Sequence, residues 1–362
     1  MTSRTVSAAA AATLLAVCLP PVFAAASPLP QDRVTIEMPD APGRAPKSLV
    51  PAARATDGKY EVDLLLLYTE PVVQELGGFD KALTDAHERV ATANQYFDNS
   101  LIPVRYRLVG TEPYPGGGEP NAPAELPTHT DVVALRNQFG ADLVSVLRST
   151  STTACGQAMT FNGGVLAASA DDPQNVDPER DAYNVVFCLQ GTTFAHELGH
   201  NLGAGHDYTY SGQTNPATGQ PIPVYAAVIG SGYWRSYAHG WRCGPGQLPG
   251  SKHCSIMHYC TSPDALYENL SGDFFSNPLL VRDGEVCGSD GPAEALQADN
   301  ARSITEAAPF VAAYRAAVVS GAGTTKSATN GGDGLLLGGF GGFALLPLLL
   351  AAGLRTRKPC LR

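Results

Sequence analysis

Basic residues are scarce in this chain: 24 Lys and Arg stand against 34 Asp and Glu, for a formal net charge of −10 over 362 residues. Nucleic-acid binding calls for a basic patch, so the composition argues against that class of partner. No C-x-x-C pair occurs, which removes the usual framework of a second, structural zinc. Methionine is rare, with four in the chain and one of them at position 1, so each position is informative. Residues 27–58 hold no cysteine, which excludes a thiolate latch on a metal from that stretch. Apolar residues are not scarce. At 44% they support the core of one large domain or two small ones.

Against that background one run stands out, His196-Glu197-Leu198-Gly199-His200-Asn201-Leu202-Gly203-Ala204-Gly205-His206-Asp207. Residues four apart on a helix lie just over one turn apart, so His196 and His200 project from one face and can hold a single ion. Glu197 then stands beside the ion, placed to take a proton from a water whose pKa the metal has lowered to about 7. Gly203 can leave the helix in a left-handed conformation and turn the chain sharply, bringing His206 round as third ligand. Three protein ligands and an open fourth position are the mark of a catalytic zinc site. The flanks agree: residues 184–189 read as a buried strand, and Thr192 or Thr193 is placed to cap the helix that follows.

This motif resembles that of the metzincin metallopeptidases, HExxHxxGxxH followed later by a methionine turn. Ser255-Ile256-Met257-His258-Tyr259 is similar to that turn, and the resemblance makes Met257 an apolar floor beneath the metal. Asp207 after the third histidine resembles the adamalysin or reprolysin branch, whereas the Ser-Ile-Met-His-Tyr string resembles astacins and serralysins. By the second likeness Tyr259 is a candidate oxyanion stabiliser, the alternative being a packing tyrosine. Three further strings extend the likeness to bacterial reprolysin-like and peptidyl-Asp-type metallopeptidases over roughly residues 59–318. They are Tyr237-Ala238-His239-Gly240-Trp241, Phe275-Ser276-Asn277-Pro278 and Asp299-Asn300-Ala301-Arg302.

The ends of the chain suggest export. Residues 1–26 have the charged, apolar and small-residue parts of a secretory signal, with cleavage expected near Ala26. Cys18 would suit a lipoprotein signal, but Val17 before it is bulkier than the small residue such signals usually carry. Residues 27–58 are rich in proline and read as a short pro-segment or a linker. Residues 319–334 form a Gly-rich linker. Residues 335–362 carry an uncharged run long enough to span a bilayer, then Arg355, Arg357, Lys358 and Arg362. These last parts resemble GlyGly-type C-terminal sorting tails, which implies a sorting protease as partner, with a single-span tether as the alternative. The product is then anchored at the cell surface or released. Of eight cysteines, six (Cys155, Cys188, Cys243, Cys254, Cys260 and Cys287) lie between those ends. In an oxidising compartment an even set suggests three disulfides with open connectivity, and a Cys254 to Cys260 bridge would brace the methionine turn.

Within 59–318 an α/β order is expected. A strand covers residues 61–68, and Phe79, Ala82, Leu83, Ala86, Val90, Ala93 and Phe97 mark one face of a long helix. Strands follow near 104–108, 142–147, 163–169 and 184–189, with a short helix at 131–139. The resemblance implies a metzincin catalytic domain: a twisted mixed sheet with helices in the upper half, an irregular lower half, and one Zn2+ in the cleft between. It also implies an edge strand, supplied by residues 155–169, that pairs with an extended peptide. A structural calcium ion stays open without a motif to support it, and a monomer is expected. His87, His129, His239, His253 and His258 read as solvated or structural. Three functions are in play: a secreted zinc endopeptidase on protein or peptide substrates, a zinc-binding module without activity, and a zinc hydrolase of small molecules. The intact Glu197 argues against the second, and a closed pocket would be needed for the third.

Overall fold

A strand apolar at nearly every position has to be covered on both faces, and the run from Val62 to Tyr68, apolar except at Asp63, is buried throughout. The computed structural model describes residues 33–35, 49–149, 155–164, 171, 173–207, 234–243, 253–258, 272–292 and 297–318. In chain order its upper half comprises β1 (Arg33–Thr35), β2 (Tyr60–Tyr68), α1 (Glu70–Leu76), α2 (Phe79–Asn99) and β3 (Val104–Pro113). These are followed by α3 (Thr130–Phe139), β4 (Leu143–Leu147), β5 (Gly156–Met159), β6 (Tyr183–Val186) and α4 (Thr193–Asn201). The six strands form one mixed sheet in the order β1-β5-β6-β4-β2-β3. β2, β3, β4 and β6 run parallel, as strand–helix alternation requires, whereas β5 runs antiparallel to β6.

Helix α2 buries Ala82, Ala86, Val90, Ala93 and Phe97. Four small or branched residues at that spacing let the helix approach the sheet closely, and Phe97 closes its end edge-on against Phe275. Leu83, expected on this face, is 38% exposed instead, because it lies one position beyond the buried stripe. Beyond α4 come β7 (Asn277–Arg282), β8 (Glu285–Cys287), β9 (Ser289–Asp290), β10 (Gln297–Ala298) and α5 (Asn300–Val311). The lower half, read as irregular, thus contains two small two-stranded sheets. Asp283-Gly284, both at positive φ, make the tight β7–β8 turn. The Asp299 side chain caps α5 by accepting from the Arg302 amide.

Three local expectations are corrected. Of the strand expected at 163–169 only Gly163 and Gly164 are described, and they belong to a 3-10 turn, Phe161–Gly164, with Asn162 and Gly163 at positive φ; the remainder lies outside the described residues, and a short strand, β5, precedes the turn. The strand expected over 184–189 ends at Val186, since the Phe187 and Cys188 amides both turn to the Cys155 carbonyl. Thr192 occupies the cap position of α4 without a capping side-chain hydrogen bond, and its carbonyl takes the His196 amide instead. Among the described residues no helix is long and apolar enough to cross a membrane. The expected signal, Gly-rich linker and C-terminal span lie outside the described residues, as do Tyr259 and Cys260.

Candidate metal centre

Helix α4 stops where its sequence says it must. The amide of Gly203 donates to the His200 carbonyl and that of Ala204 to the Gly199 carbonyl, a Schellman end with Gly203 at φ 81°. Gly203 is needed for a second reason: a Cβ there would stand 2.1 Å from Nε1 of Trp234. The reversal returns the chain so that His206 faces the two helix histidines.

The Nε2 atoms of His196, His200 and His206 stand 3.0 to 3.1 Å from one another. Nδ1 of His196 lies 3.0 Å from the Ile256 carbonyl and Nδ1 of His200 lies 2.9 Å from that of Ala204. A carbonyl only accepts, so in both rings Nδ1 carries the proton and the neutral ring presents Nε2 as a bare lone pair. Lone pairs facing each other at that distance repel unless a cation lies among them. Two nitrogens held about 2.0–2.1 Å from a tetrahedral ion are roughly 3.3 Å apart, close to the spacing here. Three neutral imidazoles suit zinc and neighbouring transition ions, not calcium. This trio could hold a metal ion, and it is the one such group among the described residues.

Electrostatics favour the ligand form. Burial, then the neighbouring His196, holds His200 well below the usual imidazole range. Burial, then His200, His196 and His239, does the same to His206. Both rings are therefore held in the neutral form, which is the form that ligates metal.

Glu197 is fully buried. It is directed at the start of β5: a Cβ on Gly156 would stand 2.3 Å from its Oε1 and 2.7 Å from its Cδ. The helix is fastened to that strand at its other end, where Asn201 Nδ2 donates to the Met159, Asp181 and Tyr183 carbonyls. Met257 is buried beneath α4, and a Cβ on Gly199 would come 3.3 Å from its Sδ.

The three weak strings of the sequence converge on the arm that carries His206. His239 Nδ1 donates to the His206 carbonyl. Asn300 takes the Gly205 amide at 2.9 Å and donates to the Gly205 carbonyl at 3.0 Å. Ser303 Oγ donates to the Gly203 carbonyl and accepts from Trp234 Nε1. Ser276 Oγ donates to the His239 carbonyl and accepts the Asn300 amide. Asp207 and the methionine turn, which resembled different branches, are one contact: His258 Nε2 lies 3.1 Å from Asp207 Oδ2, both buried. His239 and His258 are thus structural, and burial pushes His239 down to about 4. His87 is exposed, and His129 and His253 are half-buried. Sequence reasoning missed Trp234, Ser303 and Asn201 because nothing local marks them; only the fold brings them to the arm and the helix.

The disulfides brace the same region. Cys155 bonds Cys188, tying the start of β5 to the segment entering α4, and Cys243 bonds Cys287. Cys254 is also disulfide-bonded.

Comparison with known proteins gives the following likenesses. Residues 58–265 match the family model described as Metallo-peptidase family M12. A Pseudomonas aeruginosa protein named Peptidyl-Asp metalloendopeptidase is 26% identical over 299 residues, covering 79% of this chain and 45% of that protein. A Stenotrophomonas maltophilia protein of the same name is 27% identical over 265 residues, covering 70% and 52% respectively. This chain spans about half the length of these curated relatives. A chain from a solved structure described as "Structure of a chaperone-substrate complex" aligns with TM-score 0.45 at 21% identity, over 72% of this chain and 40% of that one.

Proposed function

This chain belongs to metallopeptidase family M12, and from that premise we propose that it is an exported zinc-dependent endopeptidase that cuts peptide bonds in proteins. The observation that carries the reading is the set of three buried Nε2 atoms facing one point, together with a buried Glu197 whose carboxylate lies against Gly156 of β5.

In this reading His196, His200 and His206 hold one zinc ion. When bound, zinc supplies a Lewis acid that polarises a carbonyl and makes a water acidic near neutral pH. Glu197 then does the proton work: a carboxylate oxygen takes the proton of the attacking water and passes it to the departing amine nitrogen. Burial against Gly156 and the helix fixes the carboxylate in one place, so little orientation is lost at the reacting step. Met257 forms the apolar floor that keeps the histidine rings in position. Tyr259 is assigned the oxyanion role. An extended substrate adds to the sheet along β5, whose main chain gives affinity with little sequence preference. Both relatives bear the name Peptidyl-Asp metalloendopeptidase, so peptides containing aspartate are the first to try. The leader at 1–26 and the tail at 335–362 make it an exported protein, anchored or released by a sorting protease.

Casein hydrolysis by the purified protein, with and without chelator, tests this beside Glu197→Ala. Wild type should be active and chelator-sensitive, and the variant should lose at least about a thousandfold while binding zinc equally. Equal inertness of both proteins with zinc bound would end the peptidase reading.

A further inference from the structure

Helix α5 carries a polar stripe along a side that is otherwise apolar. Asn300, Ser303 and Glu306 stand three positions apart, so their side chains leave the helix as neighbours, while Ala301, Ile304, Ala307 and Ala308 beside them are buried. Asn300 and Ser303 are fully buried and Glu306 is half-buried. A polar side chain in such surroundings costs free energy unless it is bonded, so each member of the stripe marks something held. Asn300 and Ser303 hold the arm from Gly203 to His206 directly. Glu306 bonds elsewhere. Its Oε2 accepts from the Tyr237 hydroxyl at 2.6 Å and from Arg235 Nε at 2.8 Å, and its Oε1 accepts from Arg302 Nε at 2.9 Å.

Tyr237 and Arg235 belong to a strap, residues 234–239, that reaches both ends of the same arm. At one end the Trp234 indole fills the space against Gly203, and its Nε1 donates to Ser303 Oγ. At the other end His239 Nδ1 donates to the His206 carbonyl. Between the two the Tyr237 carbonyl accepts the Asp299 amide at the start of α5. Helix, strap and arm therefore bond one another pairwise. The strap's side chains meet the helix through Ser303 and Glu306, and the carboxylate makes the stronger hold, since its bonds are charge-assisted and its side chain is only 20% exposed. The Arg302 guanidinium lies over the Tyr237 ring, 4.3 Å from its centre, and pins it further. His196, oriented by the Ile256 carbonyl, stands outside this chain of contacts.

We propose that Glu306 is a positioning residue of the metal centre: it fixes the strap on α5 and, through Trp234 and His239, sets where His206 presents its Nε2. The spacing Asn300-x-x-Ser303-x-x-Glu306 then serves the third ligand as Gly203 does, from a helix about a hundred positions away. This rests on the zinc reading above. Loss of Glu306 loosens one ligand of the three, so the metal is held less tightly by a protein that still folds.

The test uses the full chain loaded with zinc, and with cobalt(II) as a coloured substitute. In a competitive chelator titration Glu306→Ala should bind zinc roughly tenfold more weakly, and Glu306→Gln, which keeps an oxygen for the Tyr237 hydroxyl, roughly threefold. The visible bands of the cobalt protein should shift in Glu306→Ala and return towards wild type in Glu306→Gln. Urea unfolding of the metal-free proteins separates this from a loss of stability. A lowered midpoint with wild-type zinc affinity and wild-type cobalt bands overturns the proposal. Tyr237→Phe, which removes the hydroxyl and keeps the ring, decides the matter if Glu306→Ala does not fold. It should weaken zinc roughly twofold to threefold, and wild-type affinity there overturns the proposal as well. A wild type that takes up neither ion removes the metal reading and the role together. Neither readout needs hydrolysis, so an inert protein that shows both differences fails the peptidase reading and still supports the role of Glu306.

Discussion

At the residue scale, two glycines decide the geometry of the centre for different reasons. Gly203 combines a left-handed φ with a close approach to Trp234, so either cause alone forbids a side chain. Gly203→Ala should cost about 2 kcal/mol or more in urea unfolding and weaken zinc binding, because the His206 arm has to shift. An unchanged unfolding midpoint and zinc affinity would show that the turn is not needed. Gly156 is limited by Glu197, not by backbone conformation. Gly156→Ala should displace the carboxylate and lower kcat roughly a hundredfold at unchanged zinc content. Retention of full activity would mean that Glu197 does not act from its present place. The first glycine can be read from the motif. The second cannot, since its constraint comes from a helix about forty positions away and no local pattern marks it.

At the scale of elements, α4 is an ordinary short helix made functional by what holds it. Its amphipathic spacing accounts for His196 and His200, but the ring orientations come from the Ile256 and Ala204 carbonyls. The His206 arm is not a regular element at all, and side chains fix it. Asn300 at the start of α5 satisfies both the amide and the carbonyl of Gly205. Asn300→Ala leaves those two buried groups without that partner, and it should weaken zinc binding about 10- to 100-fold in a competitive chelator titration. Wild-type affinity in that variant would show that the arm is held by the metal alone. The string around Asn300 was visible in the sequence as a likeness. Its purpose was not, because it lies 95 positions from Gly205.

At the scale of the whole molecule, buried carboxyls give the fold a pH dependence separate from the metal centre. Burial pushes Asp142 up to about 7, against the pull of the Asp63 and Arg315 amides that it accepts. Burial likewise raises Asp181 to about 6 despite its ion pair with Arg180. A carboxyl raised in the folded state keeps a proton that the unfolded chain has already released. Its contribution is therefore full below about pH 4 and is lost as pH rises towards about 7, up to roughly 4 kcal/mol for Asp142. Asp142→Asn should remove that slope, so that the variant gains on wild type between about pH 5 and about pH 8 in urea unfolding. Parallel profiles for the two proteins would contradict it.

The order of strands and helices was readable because their apolar periods are local: the unbroken run at 64–68 and the four-residue step of α2. The errors fell where tertiary contacts overrode that period. Phe187 and Cys188 leave their strand to meet the Cys155 carbonyl, and Gly163, where a strand was expected to begin, lies in a 3-10 turn. By itself the sequence determined the donors and their spacing, since helical pitch places His196 beside His200 and only glycine turns readily at 203. The tertiary structure alone decided which carbonyls set the ring tautomers, what limits Glu197, and which segment lies along β5. Apart from the Ala204 carbonyl, which lies four positions from His200, those contacts join residues from 41 to more than a hundred positions apart, and no local preference encodes a partner at that distance.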